Sequence, residues 1–93
     1  MPGGANTLPK LEALTTLRFL AAFHVVLSEA FDQEAKIAWK VNDLAAIEAA
    51  TRNALVEAST ALHLDPGSTA ARMKVSGLQD KLVGLAVRRP PPQ

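Results

Sequence analysis

The chain has 93 residues, a length that allows one domain and leaves no room for two. Hydrophobic residues make up 48% and charged residues 20%, which excludes an ordinary disordered tail. The absence of cysteine excludes a disulfide scaffold and a thiolate zinc site. Alanine and leucine, with 17 and 13 copies, dominate the apolar residues, and both are strong helix formers. The composition therefore predicts a small, soluble, all-α protein.

The first predicted element is a long helix over residues 8–40, preceded by a flexible, glycine-containing segment over residues 1–7. One apolar stripe recurs at helical spacing and is expected to face the core: Leu14, Leu17, Leu20, Ala21, Leu27 and Phe31. A second stripe lies on a neighbouring face: Phe19, Phe23, Val26 and Ala30. A helix that is apolar nearly all round must be covered on more than one side. We therefore expect this helix to contact a second copy or another protein.

The most apolar window of this helix, residues 19–27, is too short to cross a membrane. Only ten residues separate the charges of Arg18 and Glu29, whereas a spanning helix needs about 20 apolar residues. A signal peptide is disfavoured because Glu12 lies where its basic region would be. The sequence therefore predicts no membrane span, and the lack of cysteine favours an intracellular location.

Two further helices are predicted over residues 43–64 and 68–88. Either Asn42 or Asp43 is expected to cap the second helix, and Ser68 is expected to cap the third. Between them, Pro66 ends the second helix, and Gly67 is expected to supply an unusual backbone conformation for a tight reversal. The core stripe predicted for the second helix is Leu44, Ile47, Thr51, Leu55, Ala58 and Leu62. The stripe predicted for the third helix is Ala71, Val75, Leu78, Leu82 and Leu85.

These elements predict a small antiparallel bundle of about three helices, two long and one shorter, completed by self-association or a partner. Gly77 and Gly84 lie seven residues apart in the third helix, so they share a side and are expected to permit close helix approach. Residues 89–93 include three consecutive prolines, which forbid helix and favour an extended proline-rich tail.

Residues that carry catalysis or bind metal are few. His24 and His63 are the only histidines, and they lack metal-ligand spacing. His24 lies in the most apolar window, where a hydrogen-bonded core or interface imidazole is expected. No glycine-rich phosphate loop occurs. The sequence therefore predicts no enzyme activity, no cofactor and no metal site.

The C-terminal third of the chain is basic. Residues 1–65 carry a net charge of −3 and residues 66–93 a net charge of +4. Three cations recur every seven residues on one side of the third helix, and two more lie nearby. These candidate phosphate contacts are Lys74, Lys81 and Arg88, with Arg72 and Arg89.

Three short stretches resemble known families, and none covers the chain. Residues 54–66, with Ala-x6-Ala-Leu-x-Leu-Asp-Pro, resemble the second helix and exit turn of a tetratricopeptide repeat. Residues 52–75 resemble the C-terminal helix-turn of some phage small terminase subunits, which implies oligomerisation and DNA binding. Residues 14–27 resemble the opening of membrane acyltransferases, although Ser28 and Glu29 follow where a histidine is expected. No family is assigned.

The function we expect is a non-enzymatic interaction or assembly subunit that forms a homo-oligomer or joins a larger protein complex. It docks through its apolar first helix, and the candidate partner-binding residues are Phe19, Phe23, Val26, Phe31 and Trp39. The alternative is an oligomeric nucleic-acid-associated protein that uses the basic third helix.

Overall fold

The computed structural model describes residues 2–88, and side chains from residue 12 to residue 87. Three helices fill this range: α1 (Pro2–Lys40), α2 (Leu44–Leu64) and α3 (Thr69–Arg88). No strand occurs between residues 2 and 88, so the prediction of a small all-α bundle is confirmed. The bundle has one long helix and two shorter ones, rather than two long and one shorter. The predicted proline-rich tail, 89–93, lies outside the described residues.

Helix α1 begins six residues earlier than predicted and continues without a break to Lys40. Pro2 occupies the first turn, where its missing N–H group costs no hydrogen bond. The two glycines that follow lower helix propensity but do not forbid helix. Pro9 cannot donate to the carbonyl of Ala5, so the helix lacks one backbone bond in that turn.

A Schellman motif ends α1 and leads directly into α2. Asn42 adopts the left-handed conformation, with φ of 57°, and its N–H group donates to the Trp39 carbonyl at 3.0 Å. The N–H group of Asp43 donates to the Ala38 carbonyl, also at 3.0 Å. The Asp43 carboxylate then accepts a bond from the N–H group of Ala46 at 3.1 Å. Of the two predicted caps, Asp43 is therefore the one that caps α2.

The turn between α2 and α3 is closed by a bond from the N–H group of Ser68 to the Asp65 carbonyl at 2.9 Å. The Ser68 hydroxyl accepts from the N–H group of Ala71 at 3.1 Å, which confirms that Ser68 caps α3. The expectation for Gly67 is wrong, because no glycine in the described range has a positive φ. A four-residue turn with proline at its second position can close with negative φ at both central residues.

Helix α2 lies in the middle of the bundle and packs against both α1 and α3, whereas α1 and α3 meet over only a short stretch. Between residues 12 and 87, eight of the ten buried apolar residues are alanines: Ala21, Ala35, Ala38, Ala50, Ala54, Ala58, Ala61 and Ala71. Such small side chains let helices approach closely. At one such point the buried Ser28 hydroxyl donates to the Ala54 carbonyl at 2.8 Å.

The predicted core stripes are confirmed for α3 and only partly for α1. In α3, Ala71 and Leu78 are buried and the other three members are half-buried. In α1, Ala21 packs against Ala61 near the end of α2. Leu14, Leu17 and Leu20, which precede Ala21, are exposed and do not belong to the core.

The two glycines of α3 do not serve the close approach that their spacing predicts. A Cβ atom placed on Gly77 or Gly84 would meet no heavy atom within 4 Å. Neither glycine therefore lies at a close helix–helix contact.

Candidate protein interface

The outward face of α1 carries a row of apolar side chains, which we call the outer stripe: Phe19, Phe23, Val26, Ala30 and, after the polar Gln33, Ile37. All five are exposed, and the four large ones have 74%, 52%, 60% and 65% of their surface accessible, in chain order. Spacings of four and three residues keep them on one side of the helix. That side faces away from the residues that pack on α2.

Phe19, Phe23 and Val26 are thus three of the predicted partner-binding residues, and the structure brings them together. Phe31 is not part of this row. Its ring is half-buried and packs against the core cluster of Ala54, Ala58 and Leu78. It lies there because its position is three residues after the buried Ser28, on the side of α1 that faces α2.

Trp39, the remaining candidate, is half exposed and lines a separate cleft. The cleft has a volume of about 360 Å³ and lies where the C-terminal part of α1 faces the end of α3. Ile47 and Leu85 contribute apolar walls, and Lys36 and Lys81 lie at its edge. The predicted partner-binding residues therefore fall in three places: the outer stripe, the core and this cleft.

The basic residues of α3 are largely engaged within the chain. The Asp32 carboxylate accepts hydrogen bonds from Lys74 at 3.1 Å and from Lys81 at 2.9 Å. Arg72 donates to the Pro66 carbonyl at 2.9 Å. Arg88 is the last residue of α3, and Arg89 lies outside the described residues. Of the candidate phosphate contacts, three thus have partners inside the fold.

Asp32 links α1 to α3 from a nearly buried position, with 8% of its surface exposed. Burial alone raises the pKa of its carboxyl group. The hydrogen bonds and positive charges of Lys81 and Lys74 outweigh that effect and hold the pKa below its usual value. No local signal in the sequence points to these two partners, which lie 42 and 49 residues away from Asp32.

A second polar link joins α1 to α2. The His24 ring hydrogen-bonds to the Glu57 carboxylate, and both side chains are about one-quarter exposed. The prediction of a hydrogen-bonded imidazole in this apolar window is confirmed. Within the residues whose side chains are described, no three His, Asp or Glu residues are grouped as a metal ion would require.

Residues Glu12–Lys40 of α1 form one helix that is long and apolar enough to cross a membrane, by length and composition alone. Only 11% of its most apolar window is buried within the fold. Core helices of soluble proteins and signal sequences meet the same criterion. The outer stripe supplies much of this apolar character.

Comparison with known proteins adds no relative: no family model matches the sequence, no curated protein matches it, and no solved structure matches the fold.

Proposed function

We propose that this chain is a non-enzymatic interaction subunit that docks on another protein through the outer stripe of α1. The observation that carries the proposal is that the buried apolar side chains are mostly small, whereas many large ones are exposed. The core is built mostly from alanine, whereas fourteen large apolar side chains are exposed among the described residues. Soluble monomers rarely expose large contiguous apolar patches, and such patches are typical of interaction surfaces.

The shape of the patch favours a helical partner. The members of the outer stripe follow one another along α1 at intervals of four, three, four and seven residues. A straight row of this kind matches the way an amphipathic helix docks on another helix or into an apolar groove. Two phenylalanines in the row supply the large buried area that anchors such contacts.

Photo-crosslinking in the cells that make the protein tests the proposal. The photoreactive residue p-benzoylphenylalanine replaces Phe19 in one variant and Met73 in a matched control. Met73 is 70% exposed, close to the 74% of Phe19, but lies on α3. We expect protein adducts from position 19 and few from position 73, because only the first lies on the outer stripe.

Two results would contradict the proposal. Equal adduct yields from both positions would mean that the outer stripe has no preferred protein neighbour. Adducts of position 19 with lipid alone would mean that α1 lies in or on a membrane instead.

The nucleic-acid alternative draws less support from the described residues. Lys74 and Lys81 contact Asp32, so binding phosphate requires them to exchange one acidic partner for another. Retention on a phosphate-bearing matrix that falls steeply with added salt would support the alternative.

A further inference from the structure

We propose that the partner is a second copy of this chain, docked antiparallel through the outer stripe with Val26 at the two-fold axis. This inference rests on the proposed function, since it names the protein that the outer stripe contacts. It makes one specific statement about geometry: residues equidistant from Val26 on the two copies face each other.

The charges near the two ends of α1 favour antiparallel over parallel pairing of the two copies. Glu12, Phe19, Val26, Gln33 and Lys40 follow one another at seven-residue intervals. They form a line that winds slowly around α1, by about 20° per interval, as the contact line of a left-handed helix pair does. This line therefore begins with the acidic Glu12 and ends with the basic Lys40, and both residues are exposed. Val26 lies fourteen residues from each.

An antiparallel pair centred on Val26 brings Glu12 of each copy to Lys40 of the other. Opposite charges thus meet at both ends of the interface. A parallel pair would instead place Glu12 beside Glu12 and Lys40 beside Lys40, which is repulsive. Phe23 and Ala30 lie three and four residues from Val26, so the antiparallel register also brings the Phe23 ring within about 1.5 Å, along the axis, of the level of the small Ala30 of the second copy.

The fold leaves room for this arrangement. The outer stripe lies on the face of α1 opposite the buried Ala21, Ser28 and Ala35. Helices α2 and α3 therefore lie on the far side of each copy. At a rise of about 1.5 Å per residue, the line from Glu12 to Lys40 is about 42 Å long, and no part of the described bundle interrupts it.

Disulfide trapping tests the register. The chain has no cysteine, so a Val26→Cys variant carries a single thiol. Two Val26 positions that face each other across the axis come within the Cα separation of about 4.4–6.8 Å that a disulfide needs. We expect rapid formation of a disulfide-linked dimer by Val26→Cys under mild oxidation. A Val83→Cys control, 64% exposed on α3, should form it slowly.

Exchanging the charges of Glu12 and Lys40 tests whether the two copies pair antiparallel. In low salt, Glu12→Lys and Lys40→Glu should each raise the dimer dissociation constant, by roughly tenfold for two exposed contacts made repulsive. The double variant restores opposite charges at both ends and should return the dissociation constant to within about twofold of the original. Circular dichroism checks helix content, because Lys40 also lies in the last turn of α1.

Light scattering on the unmodified chain measures its molecular mass in solution, and we expect about twice the 9.9 kDa of one chain. A monomer at all concentrations overturns the homodimer. If position 19 still forms adducts of another mass in cells, the proposed function stands with a different partner. A dimer without trapping at Val26 and without charge-exchange rescue overturns the antiparallel register.

Discussion

Replacing Asp32 with asparagine tests whether its two ion pairs hold α3 against α1. The variant keeps the size of the side chain and an oxygen acceptor but removes the charge. Helices α1 and α3 share few other contacts, so the effect should be concentrated on their junction. We expect α3 to loosen before α2 separates from α1.

The expected loss of stability follows from how far Asp32, Lys74 and Lys81 are shielded from water. A hydrogen bond to a charged group contributes about 1.5–3 kcal/mol when it is shielded from water. The pair with Lys74 is mostly shielded, whereas the Lys81 side chain is 52% exposed and its pair counts for little. We expect Asp32→Asn to lower the free energy of unfolding by about 2 kcal/mol. For a domain of this size, the melting temperature should fall by about 10 °C.

The assay is urea and thermal unfolding at pH 7, with Arg52→Gln as the control. Arg52 pairs with Glu48 four residues earlier on α2 and is 67% exposed, so removing that pair should cost less than about 0.5 kcal/mol. Hydrogen exchange should show lost protection in α3. Equal destabilisation by both variants would refute the role assigned to Asp32.

The Asp32 carboxylate should also make the stability of the fold depend on pH. The pKa of Asp32 in the folded protein lies below its ordinary value of 3.8. Its stabilising contribution is therefore complete above the unfolded-state pKa and is lost as pH falls through the lower folded-state pKa. The difference in stability between the original chain and Asp32→Asn should hold from neutral pH to about pH 5 and shrink below pH 4.

Four further substitutions and one control test the packing and the helix ends, each by chemical unfolding. Ser28→Ala removes a buried bond to a carbonyl of α2 and should cost about 1 kcal/mol. Ala58→Leu overpacks a fully buried position and should cost about 1–3 kcal/mol, whereas Ala49→Leu, at an exposed position of the same helix, should cost under about 0.5 kcal/mol. Ser68→Ala removes the cap of α3, at about 1 kcal/mol. Gly77→Ala meets open space and should stabilise the fold by up to about 1 kcal/mol.

Helix ends were predictable where they depend on neighbours in sequence. Asp43 and Ser68 cap α2 and α3 because their side chains reach N–H groups only three residues away. The start of α1 was not predictable from the glycines, because their propensity cost is small and no residue forbids helix there. The Schellman motif at Asn42 was not predictable from the sequence, because asparagine signals a helix start as readily as a helix end.

The candidate interface likewise has features that were predictable from local sequence and features that were not. The outer stripe was visible as a row of residues on one helix, a purely local pattern. The burial of Phe31 depends on how α1 lies on α2, and the pairing of Asp32 with Lys74 depends on α3 as well. Neither follows from periodicity, since both need the relative position of separate helices.

The alanine core and the exposed outer stripe have a common physical origin. Small side chains let α1 and α2 pack closely, but each buries little apolar area, while burying a phenylalanine contributes about 1.5–3 kcal/mol. In the isolated bundle that contribution from Phe19 and Phe23 is largely unrealised, because more than half of the surface of each residue is exposed. Covering the outer stripe recovers it without repacking the core. We therefore expect folding and the proposed association to depend on opposite faces of α1, so Phe23→Glu should weaken association with helix content intact. Ala58→Leu should weaken the fold instead.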